Sequence, residues 1–272
     1  MLTFIPTPIG NPQDITIRAL RSFEKAQLFL CEDTRETKRL LEILSQRFDF
    51  TYPKDATFLS FHAHNGKERI AEISALLKEQ EVIFVSDAGM PIISDPGQIL
   101  VEYCQLHAIP YDVLPGACAF VTAYASSGFS DVGFSFYGFL PHKGKDRDEA
   151  LSGVMNHDKN IVLYESPHRL LKLLEEISSL DGERELFLAK ELTKKFQRYY
   201  KNEAKKLFEE FVDFNIRGEW VVIIKAKSNI SKSLKLEDIL LLDIAPKIKA
   251  KLLAKVSDIS VKEWYNRLSR EE

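Results

Sequence analysis

The side chains best suited to chemistry gather in short stretches of glycine, proline and small residues. Pro6-Thr-Pro-Ile-Gly10-Asn-Pro12 is too proline-rich for a flexible loop, and it lacks the Gly-x-Gly-x-x-Gly fingerprint of a dinucleotide binder. Gly10, with no side chain, can bring backbone amides against a ligand; a rigid strand-to-helix turn is the plainer reading. In Ser86-Asp87-Ala-Gly89-Met-Pro91-Ile-Ile-Ser94-Asp95-Pro-Gly97, Ala88 and Gly89 leave room for a flat ligand. Asp87 and Asp95 are acceptors for hydroxyls or an amine, or else caps of turns and helices. Leu114-Pro-Gly-Ala-Cys118-Ala119 leaves an apolar run and enters a helix. One such loop says little; three at strand ends make a pocket.

Other groups weigh less. His62 and His64 alternate after a strand with no third ligand nearby. Hydrogen bonding through His64 and Asn65 is therefore a better reading than a metal site, and no metal is expected. Cys118 has no His–acid pair beside it in sequence, which favours a pocket wall over a nucleophile. Lys143, Lys145 and Arg147 lie in a glycine-containing turn expected to be exposed. From Lys190 to Lys206, seven basic residues face two acids, interleaved with Phe196, Tyr199 and Tyr200. Cations for phosphate beside rings for base stacking suit a structured RNA; a solvated helix face is the alternative.

Alternating strands and helices position these loops. Leu2–Ile5, Leu28–Cys31, Thr57–Phe61, Val82–Ser86 and Tyr111–Leu114 read as buried strands. Thr16–Ala26, Arg35–Leu44, Lys67–Lys78 and Gln98–His107 carry apolar residues at helical spacing. That alternation implies a mostly parallel sheet, with ligands outside the carboxyl ends of its strands. After Pro115-Gly116, a helix around Val121–Ser126 is followed by strands Phe134–Tyr137, Ile161–Tyr164, Leu186–Ala189 and Trp220–Lys225. Helices Leu170–Ile177 and Ala204–Phe211 lie among them, the first opened by Ser166-Pro167. The fold class is α/β. Residues 1–115 form an N-terminal α/β domain, 116–228 a mixed α/β domain and 229–272 a helical appendage. In the appendage, Leu234–Ile244 and Ile248–Val256 look helical, and Ser260-Val-Lys-Glu263 is a capping box. The appendage reads as a packing or RNA-docking subdomain, with a helix-turn-helix DNA reader the lesser alternative.

Composition sets limits. The chain has 272 residues, enough for two cores, and a formal net charge of −3, so any RNA contact must be local. Cys31, Cys104 and Cys118 show no Cys-x-x-Cys spacing and are odd in number, as expected of a reduced, cytoplasmic protein. Neither a signal peptide nor a membrane span is expected.

Nine motifs now stand in order: Pro-Thr-Pro-Ile-Gly10-Asn, Glu32-Asp-Thr-Arg35, Phe61-His-Ala-His-Asn65, Ser86-Asp-Ala-Gly89, Ser94-Asp-Pro-Gly97, Leu114-Pro-Gly-Ala117, Gly138-Phe-Leu-Pro141, Tyr164-Glu-Ser-Pro-His-Arg169 and Glu191-Leu-Thr-Lys194. Together, from about Leu2 to Lys225, the chain resembles the bacterial 16S ribosomal RNA cytidine 2′-O-methyltransferases of the tetrapyrrole methylase superfamily. The resemblance implies a two-domain fold with S-adenosylmethionine (S-adenosyl-L-methionine) held between the domains. Ile9 and Gly10 match the first cofactor loop, Asp87, Ala88, Gly89, Met90 and Ile93 the second, and Cys118 and Ala119 the third. Tyr164-Glu165 and Glu191-Leu192 complete the pocket from the second domain. The implied substrate is 16S rRNA or the small ribosomal subunit, at decoding-centre cytidine 1402, and a homodimer is usual. Met90 stands where Thr is more usual, Cys118 where Ser is, Gly66 where Glu often follows His-Asn, and Gln197 where Glu is common. The first three suit a site dominated by backbone contacts; the last removes the expectation of acid/base work there.

Methyl transfer from a sulfonium is an in-line displacement, and a ribose hydroxyl, being a weak acid, needs a base or a cation beside it. Glu32, Asp33 and Arg35 on one side of the implied cleft, and Lys190, Glu191 and Lys194 on the other, are candidates. Glu191 or Lys190 is expected to assist the proton and Arg35 to hold a phosphate bidentately; an inter-domain ion pair is the alternative. RNA contacts are expected from Lys143, Lys145, Arg147, Lys194 and Arg198. Two rivals stand beside this reading. Tetrapyrrole C-methylation is disfavoured because that branch resembles Gly-x-Gly-Pro-Gly-Asp in the first loop. A non-catalytic RNA- or DNA-binding module is disfavoured by the intact cofactor loops.

Overall fold

The computed structural model describes residues 1–62, 65–93, 97–130, 132–227, 236–257 and 259–269. The chain divides into a unit Met1–Ala226 and a unit Lys227–Glu272. Asp95 and His64 lie outside the described residues.

The first unit opens with β1 (Leu2–Phe4), α1 (Ile17–Phe23), β2 (Leu28–Cys31), α2 (Thr34–Arg47), β3 (Thr57–Ser60), α3 (Gly66–Ile73), α4 (Leu76–Glu79), β4 (Val82–Val85), α5 (Gln98–Leu106) and β5 (Tyr111–Val113). The strands are all parallel, in the order β3-β2-β4-β1-β5. The central strands β1, β2 and β4 are buried on both faces, which is why they read as continuous apolar runs; β3 and β5, expected to be buried as well, are edge strands and stay partly exposed. Phe4, Leu28, Leu30 and Phe84 pack with Ile70 and Ile73 of α3 and Leu100 and Cys104 of α5. Phe29, Cys31, Ile83 and Val85 pack with Ala19 and Phe23 of α1 and Leu41 and Leu44 of α2. From β1 the chain moves towards β2, and from β4 it passes β1 to reach β5. The neighbours β1 and β4 thus flank a topological switch point, where open α/β sheets bind ligands.

A second sheet follows, with α6 (Ala119–Ser127), β6 (Phe134–Gly138), α7 (Lys145–Met155), β7 (Asn160–Glu165), α8 (Pro167–Leu180), β8 (Glu185–Lys190), β9 (Arg198–Glu203), α9 (Ala204–Phe211) and β10 (Trp220–Ile224). Its order is β6-β7-β10-β8-β9, and only β6 and β7 run parallel. One face packs on α8 and α9 through Leu170, Leu173, Leu174, Ile177, Leu207 and Phe211, the i, i+3, i+4 spacing of helices covering a sheet. The other face, with Phe187, Ala189, Val221 and Ile223, packs on Ala123 of α6 and on Ile9 from the loop after β1. The expected boundary after residue 115 falls between β5 and α6, yet both sheets cluster in one unit.

Two elements escape the sequence reading. β9 is an edge strand whose residues are mostly exposed, so it carries charge where a buried strand carries β-branched residues. α7 hides because Arg147 occupies its core stripe with Leu151, Val154 and Met155, at i, i+4, i+7 and i+8. At Ser166, expected to cap α8, the side chain makes no cap bond. Its amide instead donates to Glu165 Oε1 at 2.8 Å.

The second unit carries α10 (Leu236–Leu240), α11 (Pro246–Leu253) and α12 (Val261–Leu268) around Ile239, Ala250, Leu253 and Trp264. Ser260 caps α12 by accepting from the Glu263 amide. No helix among the described residues is long and apolar enough to cross a membrane.

Candidate active site

The loops after β1 and β4 are zipped together. Thr7 and Gly89 exchange two backbone hydrogen bonds of 3.0 Å each. Thr7 Oγ1 donates to the Ser86 carbonyl at 3.2 Å. Gly89 sits at φ +81°, and a Cβ there would stand 3.1 Å from Ile9 Cγ2. Three residues on, the β-branched Ile92 is held at φ +76°, a strained conformation of the kind that clusters at ligand sites. The loop after β5 crosses beneath: a Cβ on Gly116 would lie 2.7 Å from Pro6 Cβ.

Two contiguous chambers open above these loops. The smaller, about 110 Å³, draws Ile9 from the β1 loop and Glu32 from the β2 loop. Ser86, Ala88, Gly89, Met90 and Ile93 come from the β4 loop, Cys118 and Ala119 precede and open α6, and Tyr164 ends β7. The larger, about 430 Å³, shares Ile9, Ala88, Ala119 and Tyr164 and continues along the second sheet past Ala189, Leu192 and Val221 to Glu165 and Phe139. Volumes of this order and a mostly apolar wall suit a small organic ligand. Of the thirteen residues expected to form the cofactor pocket, ten line one chamber or the other, and Gly10, Asp87 and Glu191 do not. Ser86, Phe139, Ser166, Pro167, Ala189, Glu219, Trp220 and Val221 also line them without having been assigned a role. Ser86, Phe139, Ser166 and Pro167 stand inside quoted motifs, whereas Ala189, Trp220 and Val221 look in the sequence like ordinary apolar strand residues.

Gly10 and Asp87 line neither chamber, and each has a structural reason. A Cβ on Gly10 would meet Lys194 Cγ at 2.5 Å and Thr193 Oγ1 at 2.7 Å. Gly10 therefore lets the first loop dock on the turn after β8, where the Asn11 amide donates to Thr193 Oγ1 at 3.0 Å. Asp87 Oδ1 accepts from the Asp33 amide at 3.0 Å. Partial desolvation raises the Asp87 carboxyl above its ordinary range, the Asp33 amide opposes that, and the carboxylates of Glu32, Asp33 and Glu36 add to the rise.

One carboxylate is exceptional. Glu165 is buried, Oε2 has no hydrogen-bond partner, and Oε1 accepts from the Ser166 amide and lies 3.1 Å from Arg169 Nε. Burial raises its pKa; the Ser166 amide, Arg169 and Arg147 oppose this, and Glu176 adds to it. A buried acceptor without a donor is costly, and Glu165 is among the residues that line the larger chamber. Tyr164 beside it is pushed up to about 12 by burial, so its phenol stays neutral. Burial likewise raises the Cys118 thiol, which fits a wall and weakens the nucleophile reading.

The expected catalytic groups are placed otherwise. Glu191 Oε1 accepts from the Glu219 amide at 2.9 Å and from Lys194 Nζ at 3.1 Å. Burial pushes Glu191 up, but the Glu219 amide, Lys194 and Lys190 outweigh it and hold the carboxyl below its ordinary range. It is thus a poor base, already engaged, and it does not line the chambers. Lys190 follows the chamber-facing Ala189 and points to the other face of β8. There its ammonium donates to the Asn215 carbonyl at 2.8 Å and lies over Phe214 and Trp220. Lys194, partly exposed, bridges Glu191 and Glu219. Arg35 already forks onto Asp33, Nη2 to Oδ2 at 2.6 Å and Nε to Oδ1 at 3.1 Å, with its side chain 87% exposed.

Arg147, expected to contact RNA, is buried instead. It is 1% exposed and grips Glu176 through Nε (3.1 and 3.0 Å) and Nη2 (2.7 Å), while Nη1 donates to the Pro141 carbonyl at 3.0 Å. It clamps α7 to α8 and cannot meet a phosphate. Lys143, Lys145 and Arg198 are exposed. Gln197 acts as a positioning group. Its Oε1 accepts from the Thr193 amide at 2.6 Å and its Nε2 donates to Tyr199 Oη at 2.9 Å. That fixes a turn in which Glu191 and Thr193 both have positive φ, +52° and +62°. Asn65 bonds the His62 amide and the Ser60 carbonyl, a local turn. Among the described residues no group of three His, Cys, Asp or Glu could hold a metal.

Comparison with known proteins adds to this geometry. The family profile of the tetrapyrrole (corrin/porphyrin) methylases matches residues 1–207. A ribosomal RNA small subunit methyltransferase I of Helicobacter pylori is 44% identical, over 100% of this chain and 99% of its own. One of Campylobacter fetus is 42% identical over 98% of this chain and 99% of its own. Among solved structures, a cobalt precorrin-4 methyltransferase superposes with a TM-score of 0.60 at 16% identity, over 82% of this chain and 94% of its own. A Thermus thermophilus uroporphyrin-III C-methyltransferase complexed with S-adenyl homocysteine does so with 0.55 at 15% identity, over 82% and 96%. At those identities the likeness is one of fold.

Proposed function

The chain belongs to the tetrapyrrole methylase family, in its ribosomal RNA small subunit methyltransferase I branch, and from that premise we propose that it transfers a methyl group from S-adenosylmethionine to the ribose 2′-hydroxyl of a cytidine in small-subunit ribosomal RNA. The target is the decoding-centre cytidine 1402. The protein acts in the cytoplasm as a homodimer, on free 16S rRNA or the small subunit. The observation that carries the reading is the pair of adjacent chambers, sharing Ile9, Ala88, Ala119 and Tyr164, at the switch point between β1 and β4, walled by three small-residue loops.

The residues fit the cofactor. Ala189, Leu192 and Val221 offer an apolar wall to an adenosine, and Glu165 Oε2 offers a buried acceptor to an amino N–H. Gly89, held at positive φ, keeps side-chain bulk out of the smaller chamber. Bound there, S-adenosylmethionine supplies an electrophilic methyl group. The chain's own work is to align the hydroxyl with it, exclude water and accept a proton. Of the acids and bases considered for the proton, Glu32 alone lines the chambers, so Glu32 replaces Glu191 as the acceptor. Lys143, Lys145 and Arg198 supply cations for phosphates.

The test uses purified protein, methyl-labelled S-adenosylmethionine, and small-subunit RNA offered free or as assembled subunits. The reading expects label on a cytidine 2′-oxygen. Label on a base, or label only on a tetrapyrrole added in its place, overturns it.

A further inference from the structure

Phe139 is a large apolar ring left 55% exposed at the wall of the larger chamber. Its direction is built into the fold. In a regular strand, residues three apart point to opposite faces. Phe136 and Phe139 nevertheless both pack edge-on against Tyr164, with ring centroids 5.0 and 5.6 Å away. The cause is a β-bulge between Phe136 and Gly138, with Gly138 at φ +79°. The bulge shifts the phase of β6 and turns Phe139 to the chamber side, as bulges beside active sites commonly re-aim a side chain.

The backbone just beyond Phe139 is fixed as well. Arg169 Nη2 donates to the Leu140 carbonyl at 2.7 Å, and Arg147 Nη1 to the Pro141 carbonyl at 3.0 Å. The ring is thus presented by a locked segment rather than held by its own burial. Pre-organisation of this kind serves a ligand better than it serves a core. Four residues on, the exposed Lys143 stands within about 14 Å by chain length, and Lys145 opens α7 beside it. A flat ring on a chamber wall with cations close by matches a nucleotide, base to ring and phosphate to ammonium.

We propose that Phe139 is the stacking platform for the nucleobase of the nucleotide being methylated. This rests on the functional reading above and names how the RNA is recognised there. Phe139 is a recognition residue and takes no part in bond making.

The experiment compares Phe139→Ala, Phe139→Leu and Phe139→Tyr in the full chain. Removing a stacked base contact costs roughly 5- to 150-fold in binding. Phe139→Ala and Phe139→Leu should therefore lose at least about fivefold in kcat/KM for RNA, whereas Phe139→Tyr, which keeps the π face, should retain it. S-adenosylmethionine affinity by calorimetry and Tm should stay at wild-type values. A second readout needs no turnover: RNA lacking only the target base should bind wild type as weakly as intact RNA binds Phe139→Ala, and Phe139→Ala should not distinguish the two RNAs. Wild-type activity in Phe139→Leu overturns stacking. Loss of cofactor affinity makes the ring a cofactor wall and overturns the proposal. A lowered Tm assigns it to packing and does the same. Wild-type protein that leaves RNA unmethylated sinks the functional reading itself, which the unsubstituted control reports separately.

Discussion

Replacing Arg147 by Ala separates a structural clamp from an RNA contact. The guanidinium is almost fully buried and meets Glu176 with two nitrogens and the Pro141 carbonyl with a third. Removing one partner of a buried pair costs about 3–5 kcal/mol; Glu176 is partly exposed and keeps Lys172 at 3.7 Å, so the low end, about 3 kcal/mol, applies. For a unit of this size each kcal/mol moves Tm by about 2–4 °C, so a fall of about 6–12 °C is expected. Thermal and denaturant unfolding read the loss. RNA titration well below the new Tm should return wild-type affinity and salt slope. Arg147→Met paired with Glu176→Leu should recover much of the loss, since an apolar pair can replace a buried ion pair. By contrast, Lys143→Ala with Lys145→Ala should leave Tm unchanged and make the salt slope shallower by about 1.4–1.8. An Arg147→Ala protein that melts like wild type but loses RNA affinity and salt slope refutes the clamp and restores Arg147 to the RNA surface.

Other expectations follow from the same geometry. Gly89→Ala should destabilise the fold by about 1–2 kcal/mol, because φ +81° disfavours any Cβ; Ala88→Leu, free of that strain, should instead fill both chambers and weaken S-adenosylmethionine at least about tenfold by calorimetry at unchanged Tm. Burial raises the Glu165 pKa above its ordinary 4.5 against the Ser166 amide and Arg169. Its charged form is therefore disfavoured in the fold, stability falls as pH rises from 4.5 through the raised value, and Glu165→Gln abolishes that fall. Over the same window wild-type cofactor affinity should rise with pH while the Gln variant stays flat; a pH-dependent Gln variant excludes Glu165 as the acceptor. Glu32→Gln should slow methylation at saturating substrates with little change in affinity, whereas Glu191→Gln should lower Tm and keep the rate; the reverse pattern returns Glu191 to the proton.

The parallel sheet and the chamber loops were legible because both write themselves locally. Strands buried on two faces read as apolar runs, and a ligand-bearing turn concentrates Gly, Pro and small residues. What failed depends on partners far along the chain. Gly10 resembles a ligand cradle until the turn at Thr193 and Lys194 fills its space. Lys190 and Glu191 sit at a promising strand end, but pleat alternation sends one to the far face and Gly218-Glu219 captures the other. Arg147 reads as a surface cation because no sequence pattern announces that Glu176 meets it. Phe139 was assigned no role because a bulge is a matter of register with β7.

Methylation of the ribose is read directly in cells. Small-subunit RNA is mapped for 2′-O-methyl groups with the gene present, deleted, and restored as wild type or Ala88→Leu. One cytidine mark should vanish on deletion, return with the wild-type gene and stay absent with the chamber-filled variant. An unchanged set of 2′-O-methyl marks after deletion contradicts the proposed function.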